Sequence, residues 1–170
     1  MNNDETEAAV QPRWLDEEEM STWFALASVL MWLPSALDAQ LECDAGISHF
    51  EYQVLAMLSM SPERTARMSE LAALTNGTLS RLSHVVTRLE KQGWVTRAAD
   101  SDNRRYTLAT LTASGWDKVT ATAPGHVNAV RSLVFDPLTR AQAIHLRDIA
   151  SRIRQAIDPN GELPAPPTRR

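Results

Sequence analysis

A chain of 170 residues with 44% hydrophobic content can bury one good core and is too short for a large enzyme. Its net charge of −4 looks wrong for a partner of nucleic acid until the charges are placed: residues 4–51 hold eleven acids against Arg13 alone, while residues 78–106 hold six basic side chains against three acids. One cysteine excludes an intramolecular disulfide framework, and the acidic amino terminus lacks the apolar stretch of a secretion signal, so a cytoplasmic protein is expected.

Residues 1–12 are polar and expected to be disordered. Asp16-Glu17-Glu18-Glu19 opens a long helix, with a capping aspartate followed by carboxylates that complement the helix dipole. That helix should run to about Cys43, with a kink near Pro34. Its longest apolar run, Phe24 to Leu33, stops at the proline and is too short to span a bilayer, so no membrane partner is expected. Ser48-x-x-Glu51 is a capping box that starts a second helix through about Ser59. Pro62 to Arg67 reads as a loop.

Ser69 is placed to cap a brief helix whose inward side is Leu71, Ala72 and Leu74. Thr75-Asn76-Gly77 makes a turn in which glycine accepts positive φ and asparagine tolerates it, and Thr78 or Asn76 caps a longer helix beyond it. This longer helix carries apolar residues at Leu79, Leu82, Val85, Val86 and Leu89, one continuous face. Its other side holds Ser80, Arg81, Ser83, His84, Thr87, Arg88 and Lys91. Arginine can fork onto the O6 and N7 of guanine, and serine and threonine reach base edges or phosphates. A plain solvated helix would also be polar outside, but it would mix both signs of charge, and no acid appears here before Glu90.

Gly93 ends that helix, and Trp94–Arg97 and Tyr106–Leu111 alternate like strands. The turn-forming Asp100-Ser101-Asp102-Asn103-Arg104-Arg105 lies between them. A hairpin tipped with adjacent arginines suits the narrow minor groove, whose negative potential attracts a guanidinium; an ordinary solvated hairpin is the alternative. Short helix, turn, longer helix, strand, tip and strand together describe a winged helix-turn-helix, a module that places one helix in the major groove. The fold class is therefore mainly α with a small β-hairpin wing.

Thr112 can cap a helix beginning at Ala113, which Pro124-Gly125 must bend or split before Phe135. Thr139-x-x-Gln142 is another capping box, and the last helix extends to about Ile157. Residues 158–170, rich in proline, should form a disordered tail. Trp23, Phe24, Ala27, Leu30, Met31 and Leu37 crowd one end of the chain, and Val127, Val130, Leu133, Val134, Leu138, Ile144, Ile149, Ile153 and Ile157 the other. Leaving such surface wet is costly at roughly 25 cal/mol per Å². A homodimer with interlocked first and last helices covers it, and a monomeric bundle is the alternative. The organisation expected is one domain, 13–157, with dimerisation helices at 13–47 and 113–157 flanking a winged helix-turn-helix at 48–112.

Gly93-Trp94-Val95 after Arg88-Leu89-Glu90, the Asp-Ser-Asp-Asn-Arg-Arg wing, and Leu111-Thr112 before the next helix resemble the MarR family of bacterial transcription regulators. The resemblance covers about residues 16–156. It implies a dimer, and a wing arginine in the minor groove at the position of Arg105. The aspartate that usually orients that arginine is replaced here by Asn103, with Asp100 or Asp102 as candidate substitutes, while Arg104 would meet phosphate. It further implies a repressor of a nearby gene, released by a small aromatic or anionic effector lodged between the dimerisation helices and the DNA module.

The site expected from these readings has Ser80, Arg81, Ser83, His84 and Arg88 facing the major groove of a roughly palindromic double-stranded DNA operator. Ser69 and Thr78 touch phosphate, and Arg105 enters the minor groove. The protein would be nucleoid-associated when bound, and no effector-binding residue can be named. A redox-sensing regulator using Cys43 is a further alternative, since some similar regulators sense oxidants through one cysteine; those place it early in the first helix, whereas Cys43 lies late, beside the acidic Glu42 and Asp44, which disfavour a reactive thiolate. His49, His84, His126 and His145 lack metal-ligand spacing, and neither a metal nor a cofactor is expected. The tryptophans at 14, 23, 32, 94 and 116 suggest a core more than a pocket, with Trp94 anchoring the wing. No nucleotide-binding glycine loop or catalytic constellation is defensible, so no enzyme is expected. Rival readings are a winged-helix subunit that docks proteins and the dimerisation part of a methyltransferase; the cationic outward face disfavours the first, and the missing glycine-rich cofactor domain the second.

Overall fold

The structure is a computed structural model and describes residues 12–101 and 103–161. Of the ends expected to be disordered, 1–11 and 162–170 lie outside these residues, as does Asp102. Two compact units divide at Leu33 and Pro34.

The first unit contains the amino-terminal part of helix α1 (Glu17–Ala45). Asp16 accepts from the Glu19 N–H at 2.8 Å and Glu19 reciprocates at 3.1 Å, so the acidic start caps the helix as its composition requires. Trp23, Phe24, Leu30, Met31 and Trp32 are all exposed on this segment. The helix passes through Pro34 without interruption and ends at Ala45, close to the expected Cys43. An 18-residue window of it has a mean hydropathy of 1.4, so by length and composition it could cross a membrane. The window extends past the run Phe24 to Leu33 because apolar residues resume beyond the proline, at Ala36, Leu37, Ala39 and Leu41.

In the second unit, Ser48 and Glu51 form the expected reciprocal cap of α2 (His49–Met60). Helices α3 (Met68–Leu74) and α4 (Leu79–Lys91) come next, separated by a four-residue turn. The core joins Phe50, Leu55 and Leu58 of α2 to Leu71 of α3 and to Leu82, Val86 and Leu89 of α4. Each fully buried leucine contributes about 1.5–3 kcal/mol over an exposed one.

Four local expectations change. Residues 62–67 are more than a loop: after a tight turn, β1 (Thr65–Arg67) pairs antiparallel with β3 (Thr107–Leu111), which also pairs with β2 (Val95–Ala99). Three residues are too few to display alternation, so only the partner strand defines β1. Arg67, not Ser69, occupies the cap position of α3, and the Glu70 carboxylate accepts the Arg67 N–H at 3.3 Å. In the turn, Asn76 takes the positive φ of 48°, and Gly77 serves close approach instead, since a Cβ there would lie 2.8 Å from the Phe50 ring. Helix α5 (Ala113–Val130) contains Pro124 unbroken; the departure comes later, at a π-helical turn Arg131–Phe135 closed by the Asp136 N–H to the Arg131 carbonyl at 2.8 Å.

Thr112 caps α5 as expected, and Thr139 with Gln142 boxes the start of α6 (Arg140–Ile157). No residue of α6 is buried; Ile144, Ile149, Ile153 and Ile157 all face solvent. Of the tryptophans, only Trp94 and Trp116 pack against the core, and Trp14, Trp23 and Trp32 are exposed. Aromatic content alone could not separate a core from an uncovered face.

Candidate nucleic-acid interface

Thr78 caps α4, its hydroxyl accepting the Arg81 N–H at 3.2 Å. That bond fixes the start of the helix, and the buried side at Leu82, Val85, Val86 and Leu89 fixes its rotation. Ser80 and His84 are thereby turned to solvent. Leu79, expected on the buried side, is instead 55% exposed, because the first residue of the helix projects past the end of the core.

The two arginines of α4 sit on the flank facing α2. Arg81 stacks over the Phe50 ring at 4.0 Å. Arg88 donates through Nε to Glu51 Oε1 at 3.0 Å, while the other oxygen of that carboxylate accepts from the Ser48 N–H and hydroxyl, both at 2.9 Å. Both guanidinium groups remain accessible, the Arg88 side chain at 62%.

Ser83 and Thr87 are half-buried, for a reason the sequence reading missed. Arg97 of β2 reaches across to α4 and donates to Ser83 Oγ at 3.4 Å, to Thr87 Oγ1 at 3.0 Å and to Glu90 Oε2 at 2.9 and 2.5 Å. The signal was the period of two in the strand, which puts Arg97 on the same side as buried Val95.

At the wing, Asp100 is 7% exposed, pairs with Arg67 at 3.3 Å and donates its N–H to the Tyr106 carbonyl at 3.0 Å. Arg67 also covers the Tyr106 ring at 4.4 Å. Asn103 does contact Arg105: its Oδ1 accepts the Arg105 N–H at 3.1 Å, and its carbonyl accepts the Tyr106 N–H at 2.9 Å. Asn103 therefore shapes the backbone under Arg105. Among the described residues neither Arg104 nor Arg105 is ion-paired to a carboxylate, and both are exposed. Ser69 is exposed in the first turn of α3 and lines a cavity of about 400 Å³ together with Ser83 and Arg105, so three predicted positions converge there.

A larger cavity of about 630 Å³ lies on the other flank of α4, lined by Pro34, Asp38, His49, Gln53, Arg81 and Arg88 among others. The His49 ring is 5.8 Å from that of His126, which lies 4.5 Å from Tyr52. Burial holds both histidines below their ordinary pKa; Asp38 partly opposes this at His49, and the charge of His49 reinforces it at His126. Among the described residues no group of three potential ligands could hold a metal. Cys43 is an exposed free thiol.

The MarR family model matches residues 45–105. Sco3205, a MarR family transcriptional regulator from Streptomyces coelicolor whose crystal structure is in complex with DNA, is 43% identical, with a TM-score of 0.84 over 92% of this chain and 98% of that one. AbsC, a MarR family regulator from the same organism, is 32% identical, with a TM-score of 0.80 over 86% of this chain and 98% of its own. The HTH-type transcriptional regulator PapX of Escherichia coli is 33% identical over 70 residues, which are 41% of this chain and 43% of PapX. That match and a second, to YdcH of Bacillus subtilis, span only about half the length of those curated relatives or less.

Proposed function

This chain belongs to the MarR family of transcriptional regulators, a family of non-enzymes, and we propose that it acts as a homodimer on a short, roughly palindromic DNA operator. The observation that carries this reading is the cavity that Ser69 of α3, Ser83 of α4 and Arg105 of the wing line together, with Ser80, His84 and Arg104 also exposed. In it, α4 enters the major groove, Arg105 enters the adjacent minor groove, Ser69, Thr78 and Arg104 meet phosphate, and Ser83 is presented by Arg97. Arg81 and Arg88 approach the duplex from the α2 flank, and Arg88 must share itself between Glu51 and the DNA.

The exposed apolar faces of 13–47 and 113–157 support dimerisation, one copy covering the other. The same covering accounts for the hydropathy of α1 without a membrane, in keeping with a cytoplasmic protein. Repression released by an effector is the regulatory reading. The 630 Å³ cavity suits a small anionic or aromatic molecule, because Arg81 and Arg88 supply charge and Phe50 an aromatic wall. Occupying it would bias the position of α4 through those same arginines.

Selection of genomic fragments by the purified full-length protein, followed by footprinting, tests the reading. Recovery of one inverted repeat protected at two successive turns of the duplex is the expected result. Retention of random competitor DNA with equal affinity would refute it.

A further inference from the structure

Leu79 is an apolar side chain at the front of an otherwise polar surface. It is the first residue of α4, between Thr78, whose hydroxyl is committed to the helix cap, and exposed Ser80. Its 55% exposure means that it contributes little to the core. With Met68 and the 40%-exposed Tyr106 it forms the apolar part of the 400 Å³ cavity, whose polar lining includes Ser83, Arg97 and Arg105.

We propose that Leu79 is a specificity-determining residue that reads a thymine through its 5-methyl group in the major groove. The inference rests on the duplex-binding reading above and deepens it. The first turn of a recognition helix is the part that reaches base edges. Of the groups that base pairs display in the major groove, the thymine methyl is the apolar one, and an aliphatic side chain has no other way to discriminate there. Leucine can neither donate to phosphate nor accept from a base, so electrostatic positioning falls to the cations around it. The patch is continuous with the proposed interface, since its cavity shares Ser83 and Arg105 with that face.

The test uses the full-length protein and an operator recovered by fragment selection. Each thymine is replaced in turn by deoxyuridine, which lacks only the methyl, and affinity is read by fluorescence anisotropy. One thymine in each half-site is expected to weaken binding about fourfold when its methyl is removed, the worth of one buried methyl group. Leu79→Ala should bind the thymine and deoxyuridine forms equally at that position, with only a small drop in melting temperature because the side chain is 55% exposed, and Leu79→Met should restore the difference. An operator bound tightly but indifferent to every substitution overturns the proposal, and so does methyl discrimination that survives Leu79→Ala. Failure to recover any preferred operator overturns the duplex-binding reading itself, a result distinguishable from the other two.

Discussion

Arg97 of strand β2 holds Glu90 of α4 with Nε at 2.9 Å and Nη2 at 2.5 Å, so wing and helix are joined through one ion pair. Nη2 also donates to Thr87, and the two paired side chains are only 28% and 29% exposed. The acid of α4 is thereby neutralised before it meets phosphate, and the wing keeps its angle to the helix. In a double-mutant cycle of Arg97→Met and Glu90→Gln, folding stability should show a coupling of about 1 kcal/mol. Arg97→Met alone should weaken operator binding more than Glu90→Gln, because it leaves an unpaired carboxylate facing DNA. Chemical denaturation and anisotropy titrations of the four proteins would show this, and additive effects would dissolve the proposed link.

Arg105→Ala should weaken operator binding by about 1–3 kcal/mol and lower the slope of log affinity against log salt by about 1. The dimer should persist, since the wing tip lies outside the proposed dimerisation segments. Titrations at several salt concentrations, with sedimentation of the free protein, measure both quantities. Unchanged affinity at moderate salt would remove Arg105 from the interface.

Ile153→Asp tests the covering of α6. This isoleucine is 41% exposed, on a helix with no buried residue of its own. A carboxylate carried into an apolar interface should raise the dimer dissociation constant by about a hundredfold or more. Sedimentation equilibrium should show a folded single subunit with weakened operator affinity. A variant that remains fully dimeric would place the interface elsewhere.

The two half-buried histidines set a pH dependence. With both pKa values lowered from 6.5 by burial, the folded chain binds fewer protons than the unfolded chain as acidity rises. The stability they contribute is fully present above 6.5 and is lost as pH falls through their lower folded values. Melting temperatures measured between pH 7.5 and pH 5.5 should therefore decline toward acid. His126→Gln should flatten that decline, and an identical slope in the variant would assign it to other groups.

The periodic features of the sequence translated directly into structure. The core side of α4 is Leu82, Val85, Val86 and Leu89, and the capping boxes at Ser48 and Thr139 form as their spacing requires. Both depend on interactions within a few residues. The features that stayed hidden depend on partners far along the chain. β1 exists through its pairing with Ala109 and its neighbours, and Arg97 gains its role from side chains ten and fourteen residues earlier. Leu79 misled because helical period ignores where a helix projects beyond its support. The partners of Arg81 and Arg88 on α2 were equally invisible, since a helical wheel identifies polar positions without naming the groups that stand opposite.

Glu51 answers to both α2 and α4 at once: one carboxylate oxygen completes the cap at Ser48 and the other anchors Arg88. Positions 48, 51 and 88 thus share one carboxylate, and a change at Glu51 removes a partner from both of the others. A duplex or small molecule that draws Arg88 away must leave half of that acid in want of a substitute, supplied by water.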